Sequence, residues 1–144
     1  MPRDCGSAAY DPMRHAVQLG VRVIIRPLQV GRWGAYDAQR RTIYLRPGLT
    51  ARQERAVLAH ELAHAEHEDV LTGDWRADAR AERRADELAA GRLIDPGALE
   101  AELLVHPDDP ARVADHLDVP RWLLDVALTL QTERDLGEDA HRAG

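Results

Sequence analysis

Between Val57 and Ala65 the chain reads Val-Leu-Ala-His-Glu-Leu-Ala-His-Ala, a stretch whose only polar side chains are His60, Glu61 and His64. Charged residues make up 31% of the protein, so a merely solvated helix face would carry Arg or Asp here. On a helix, residues four apart are separated by a rise of about 6 Å and share a side, so the two imidazoles can converge on one metal ion. Glu61 lies about 100° around from His60, within reach of a metal-held water without being a ligand itself. Leu58, Leu62 and Ala65 fall on the opposite side, which places this helix between an apolar core and a cleft. The bland alternative is a polar stripe on an amphipathic surface helix.

A zinc site of this kind needs a third protein ligand. His67 is nearest in sequence, but seven residues from His60 it stands about 10.5 Å further along one straight helix. The next helical stretch carries Glu82 and Asp86 four apart on one face, with Ala85 and Ala89 beside them. Small residues there allow close approach to the first helix. Glu82 is therefore the expected third ligand. Asp86 is expected behind the ligands, orienting a histidine through its other ring nitrogen. His67 and Glu87 are held in reserve as ligands. Simple pairing of Glu82 and Asp86 with Arg80, Arg83 or Arg84 is the competing explanation.

With 144 residues the chain is long enough for one small core, and the expectation is a single domain over 1–144. Residues 1–49 read as a helix plus β-hairpin sheet. A helix over 11–19 is capped by Asp11, a strand spans 21–26 with Val21, Val23 and Ile25 on one face, and a hairpin over 31–48 turns at Asp37–Arg40. Together these predict a small antiparallel sheet with an open edge strand. Residues 50–95 read as the metal-site helices. The first begins at a Thr50/Gln53 capping box and runs to about Asp69; the second is capped by Asp74 and runs to about Leu93. Residues 96–136 add three more helices, starting at Asp95-Pro96, Asp109-Pro110 and Pro120 and ending near Asp135, and 137–144 read as a frayed tail. The fold class is thus α+β, a small antiparallel sheet packed on a helical core with additional C-terminal helices.

Composition excludes several classes. A single cysteine, Cys5, rules out an internal disulfide framework or a cysteine-rich zinc knuckle, and no apolar run approaches bilayer length. With no apolar leader at the N-terminus, the expected location is the cytoplasm. Cys5 and Ser7 sit outside any nucleophile motif. All 19 basic residues are arginine. Residues 96–144 hold 4 Arg against 11 acids, a poor surface for a polyanion.

HELAH at 60–64, followed by ERRADELAAGRLIDP at 82–96 and preceded by the hairpin GAYDAQRRTIYLRPG, resembles the ImmA/IrrE family of metallopeptidases. The resemblance covers about residues 15–130. It departs at Leu88, where the family often has Phe, and at Asp95, where Met is more usual. It implies a gluzincin-like site with His60, His64 and Glu82 as Zn2+ ligands and Glu61 as catalytic base. It also implies a cytoplasmic peptidase, often borne by phage or mobile elements, that cuts a transcriptional repressor or antitoxin-like partner. The residue that stabilises the oxyanion is left open among Tyr36, Tyr44, His67, His106, His116 and the hairpin arginines, with Tyr36, on the expected edge strand, favoured. Two other classes stand beside this one. One is a metal-binding regulatory protein without proteolysis. The other is a DNA-binding regulator using helices 110–117 and 120–135, with Val113, Leu117, Val119, Leu123 and Val126 as their core. The second of those helices presents two Arg and three acids, so direct nucleic-acid binding is disfavoured.

Overall fold

The computed structural model describes residues 9–143, and Cys5 and Ser7 lie outside them. The chain order is α1 (Pro12–Leu19), β1 (Arg22–Ile25), β2 (Gly34–Asp37), β3 (Thr42–Leu45), α2 (Ala51–Glu66), α3 (Trp75–Leu93), α4 (Pro96–Val105), α5 (Pro110–Leu117) and α6 (Arg121–Ala143). This is an α+β fold in which a three-stranded sheet packs on a helical core extended by C-terminal helices.

The local start signals operate as chemistry would have them. Asp11 accepts hydrogen bonds from the Met13 and Arg14 amides, and Pro12 opens α1 with a φ already suited to a helix. Thr50 and Gln53 form the reciprocal capping box of α2. Asp74, Asp95 and Asp109 cap α3, α4 and α5 in the same way. At Asp95, which departs from the pattern the sequence resembles, the carboxylate takes the Ala98 amide at 2.9 Å and so starts α4.

The sheet differs from the antiparallel expectation. Its order is β1-β3-β2, with β2 and β3 antiparallel but β1 and β3 parallel, so it is mixed. The hairpin fixes only β2 against β3. The segment after β1 carries the chain past β3 to the far edge before β2 begins, so β3 returns beside β1 in the same direction. The central strand is the most apolar: Ile43 and Leu45 are fully buried, whereas Ile25, on the β1 edge, is 59% exposed and does not join Val21 in the core. The hairpin turn is held by Asp37, which accepts from the Arg40 amide and guanidinium.

Helix α2 serves two cores. Val57, Leu58, Leu62 and Ala65 pack with Ala16, Val21, Ile43 and Leu45 beneath the sheet. Ala56 and Ala59 belong to a second cluster with Ala89, Ala90, Val113, Leu123 and Leu124 from α3, α5 and α6. The helix is thus covered on two sides, more than the one-stripe expectation, and only the third side faces a cleft. Two helical boundaries move from expectation. Helix α2 ends at Glu66 rather than near Asp69, because Glu68 adopts φ 51 and turns the backbone away. Helix α6 continues to Ala143, through the segment expected to fray. The α5–α6 pair does form, with Asp118 in the left-handed region at the corner. Arg52 bonds Asp115 at 2.8 Å and Arg55 grips Asp118, tying this corner to α2. Val113, Val119 and Leu123 are buried, which makes α6 a buttress of α3.

Gly34 opens β2 where the strand passes over α2. A Cβ built there would stand 2.6 Å from Val57 Cγ1 and 3.2 Å from Glu61 Cγ, so only glycine permits this approach. Gly34→Ala should therefore push β2 from α2 and cost about 1–3 kcal/mol, read as a lower urea midpoint at unchanged slope. An unaltered midpoint would show that β2 is not seated against the helix.

Candidate metal centre

Alanines set the distance between the two site helices. Ala56, Ala59 and Ala63 on α2 and Ala85, Ala89 and Ala90 on α3 are all at most 1% exposed, so neither helix holds the other off with a long side chain. Two ion pairs reinforce the seam. Arg92 on α3 forks onto Glu66 at 2.6 and 3.0 Å, and Arg84 reaches Asp69 at 2.7 Å. The return loop between them is ordered by Asp78, which accepts the Thr72 and Gly73 amides and the Thr72 hydroxyl.

This packing brings Glu82 of α3 over His60 and His64 of α2. The His64 Nε2 atom lies 3.1 Å from His60 Nε2 and 2.6 Å from Glu82 Oε2, and His60 Nε2 lies 3.4 Å from the same oxygen. The other nitrogen of each ring is held by a carboxylate: His60 Nδ1 to Asp86 at 2.8 Å, His64 Nδ1 to Asp69 at 2.9 Å. A carboxylate only accepts, so each Nδ1 donates, and in the neutral ring each Nε2 is left as a lone pair. Three lone-pair atoms therefore face one another at 2.6–3.4 Å. Neighbouring ligand atoms around a tetrahedral zinc with bonds of about 2.0 Å are separated by about 3.3 Å. The donor set, its spacing and the fixed tautomers suit zinc.

Electrostatics agree with the geometry. Burial disfavours the charged form of His60, but hydrogen bonds to Asp86 and Glu82 and the charges of Glu61 and Glu82 outweigh it and lift the imidazole to about 10. His64 is raised for the same reasons, with Asp69 in place of Asp86. Glu82 is driven far below the carboxylate range by its bonds to the two histidines. The site is thus a pocket of negative field that takes up a cation, either a proton or a metal. Glu61 is nearly buried at 8% exposure, and desolvation raises its carboxyl despite the neighbouring histidines.

The cleft in front is about 790 Å³ and is lined by His60, Glu61, His64 and Glu82 on one side and by the segment from Gly31 to Gln39 on the other. Tyr36 is among the lining residues, on a true edge strand. Asp86 stands behind His60. The two reserve residues are elsewhere: His67 is the C-cap of α2, its Nδ1 against the Ala63 carbonyl at 3.0 Å, and neither it nor Glu87 joins the ligand cluster.

Three contributors escaped the sequence. Asp69 was hidden because a helix running to that position would point it away; the left-handed Glu68 swings it back, and its amide bonds the His64 carbonyl at 2.9 Å. Trp122 reaches the cleft from α6, its ring 6.5 Å from that of His60, although no local pattern links residues 62 positions apart. Gly34 opens the hairpin segment, but nothing in the sequence marks it as the point of closest approach to α2. A second grouping, Glu102, His106 and His116, also has metal-ligating atoms within 4.8 Å of one another.

Residues 16–129 match the family model Peptidase_M78, described as the IrrE N-terminal-like domain. No curated protein sequence matches the chain significantly. Among the described residues, no helix is long and apolar enough to cross a membrane.

Two measurements test the centre. Because His60 sits above its ordinary value of 6.5, its favourable contacts as imidazolium are complete below pH 6.5 and lost as the pH rises through about 10. At pH 8 the first zinc should therefore displace about one proton, seen calorimetrically as a heat that varies with the ionisation enthalpy of the buffer. Zinc uptake without proton release would contradict this. Asp69→Asn should weaken zinc by about 10–100-fold through loss of the carboxylate that orients His64. Unchanged affinity would make Asp69 a loop residue only.

Proposed function

This chain belongs to the IrrE N-terminal-like domain family, and on that premise we propose that it is a zinc-dependent endopeptidase acting on a specific protein partner. The convergence of His60, His64 and Glu82 at the floor of an open cleft, with the buried Glu61 beside them, is the observation that most supports this function. In this proposal the three converging side chains are the zinc ligands, and Asp86 and Asp69 lock the ring orientations. When bound, zinc supplies Lewis acidity, polarising a scissile carbonyl and acidifying a water.

Glu61 does the proton work. Its raised pKa suits a carboxylate that must take a proton from the attacking water and hand it on to the departing amine at near-neutral pH. The cleft gives access on one side only, because α2 is covered by core on its other two sides. Strand β2 forms the facing wall, and its edge position allows an extended peptide to be held by strand addition. Tyr36, on that strand and among the cleft-lining residues, is the proposed donor to the negative charge that develops on the carbonyl oxygen. The substrate in this proposal is a repressor or antitoxin-like regulator in the cytoplasm. A selective cut follows from the requirement that an extended segment fit along β2.

Glu61→Gln should keep zinc at unchanged stoichiometry and lose proteolysis of the partner by about 10²–10⁴-fold. Loss of zinc as well would give Glu61 a structural role. Glu82→Ala should weaken zinc by more than about 100-fold, measured by chelator competition. Equal digestion of casein and of candidate regulators would contradict the selective cut.

A further inference from the structure

The second cluster lies on the C-terminal helices, away from the cleft, and repeats the plan of the first. At the main centre two ligands are four apart on one helix and the third comes from the neighbouring helix. Glu102 and His106 are likewise four apart, His106 being the C-cap of α4 with its amide bonded to the Glu102 carbonyl at 2.8 Å. The third member, His116, comes from the last turn of α5 and sets its Nδ1 2.7 Å from Glu102 Oε1. The two rings meet edge to face with centroids 5.3 Å apart at 78°, close to the 4.8 Å and 82° of His60 and His64. The fold joins these residues by the turn at Pro107–Asp109, where Asp109 caps α5 and so fixes the reversal that brings His116 back to α4.

We propose that Glu102, His106 and His116 form a second, weaker zinc site that clamps the α4–α5 corner. Two imidazoles and a carboxylate are a sufficient donor set for zinc, and water completes the coordination at a surface position. The local charge favours a cation, since residues 96–144 carry 11 acids against 4 Arg. The site is weaker than the main one for two physical reasons. His116 is 48% exposed and must give up side-chain freedom when it binds, whereas His60 and His64 are already held at 14% and 12%. Among the described residues neither His106 nor His116 has a carboxylate on its second nitrogen, the contact that Asp86 and Asp69 provide at the centre. The bound ion would join α4 to α5, and α5 packs on α6, the helix that carries Trp122 to the cleft.

The proposal goes beyond the peptidase assignment, and variants separate the two. The full-length protein is titrated with zinc alone against a chromophoric chelator. The wild type should take two equivalents, the second at least about 10-fold weaker. His116→Ala and His106→Ala should each take only the tight one, with at least about a hundredfold loss at the weak site. His60→Ala should keep only the weak one, and His60→Ala/His116→Ala none. In His60→Ala, zinc should also slow amide exchange over residues 105–112. His141→Ala serves as a control for chance histidine binding and should leave both equivalents in place. A folded His60→Ala that takes no zinc, or a second equivalent that survives both His106→Ala and His116→Ala, overturns the second site. A wild type that loses only its weak equivalent in His60→Ala would instead count against the main centre.

Discussion

Three lone-pair atoms aimed at one point, His60 Nε2, His64 Nε2 and Glu82 Oε2, are the constraint around which this molecule is arranged. Unpaired acceptors facing one another at hydrogen-bond distance repel unless a proton or a metal ion lies between them. The protein holds them there by rigid means. Alanines bring α2 and α3 together, and the Arg92–Glu66 and Arg84–Asp69 pairs fix their relative position. Asp86 and Asp69 settle the tautomers. Much of the middle third of the chain is explained by this one demand.

The same demand accounts for the unusual burial of α2. A helix with one apolar stripe needs only one core, but α2 has the sheet and α1 on one side and α3 with the C-terminal helices on another. Its remaining side, bearing His60, Glu61 and His64, is left to the cleft. With both cores gripping the helix, its side chains cannot drift, and a site built on such an element is better preorganised than one on a loop. Strand β2 comes close enough to form the opposite wall because Gly34 has no side chain to collide with Val57 and Glu61.

What the sequence disclosed and what it hid divide along physical lines. Helix starts were legible because Asp11, Thr50, Asp74, Asp95 and Asp109 act on amides two or three residues away. The meeting of His60, His64 and Glu82 was legible because helical spacing and small residues at 85 and 89 specify it. The parallel pairing of β1 with β3 was not, since no short-range signal records the path a chain takes between distant strands. Asp69 was obscured by a single left-handed residue, Glu68, which ended a helix earlier than its periodicity indicated. Trp122 and the Glu102–His106–His116 cluster depend on packing between helices and could only be read from the fold.

The most direct test of the central claim is zinc-edge X-ray absorption on the full chain loaded with one equivalent of zinc. The account requires two imidazole nitrogens at about 2.0–2.1 Å and oxygen at about 2.0–2.2 Å, with no sulfur. A sulfur scatterer near about 2.3 Å, which only Cys5 or a methionine could supply, or a shell made of water oxygens alone, would contradict it.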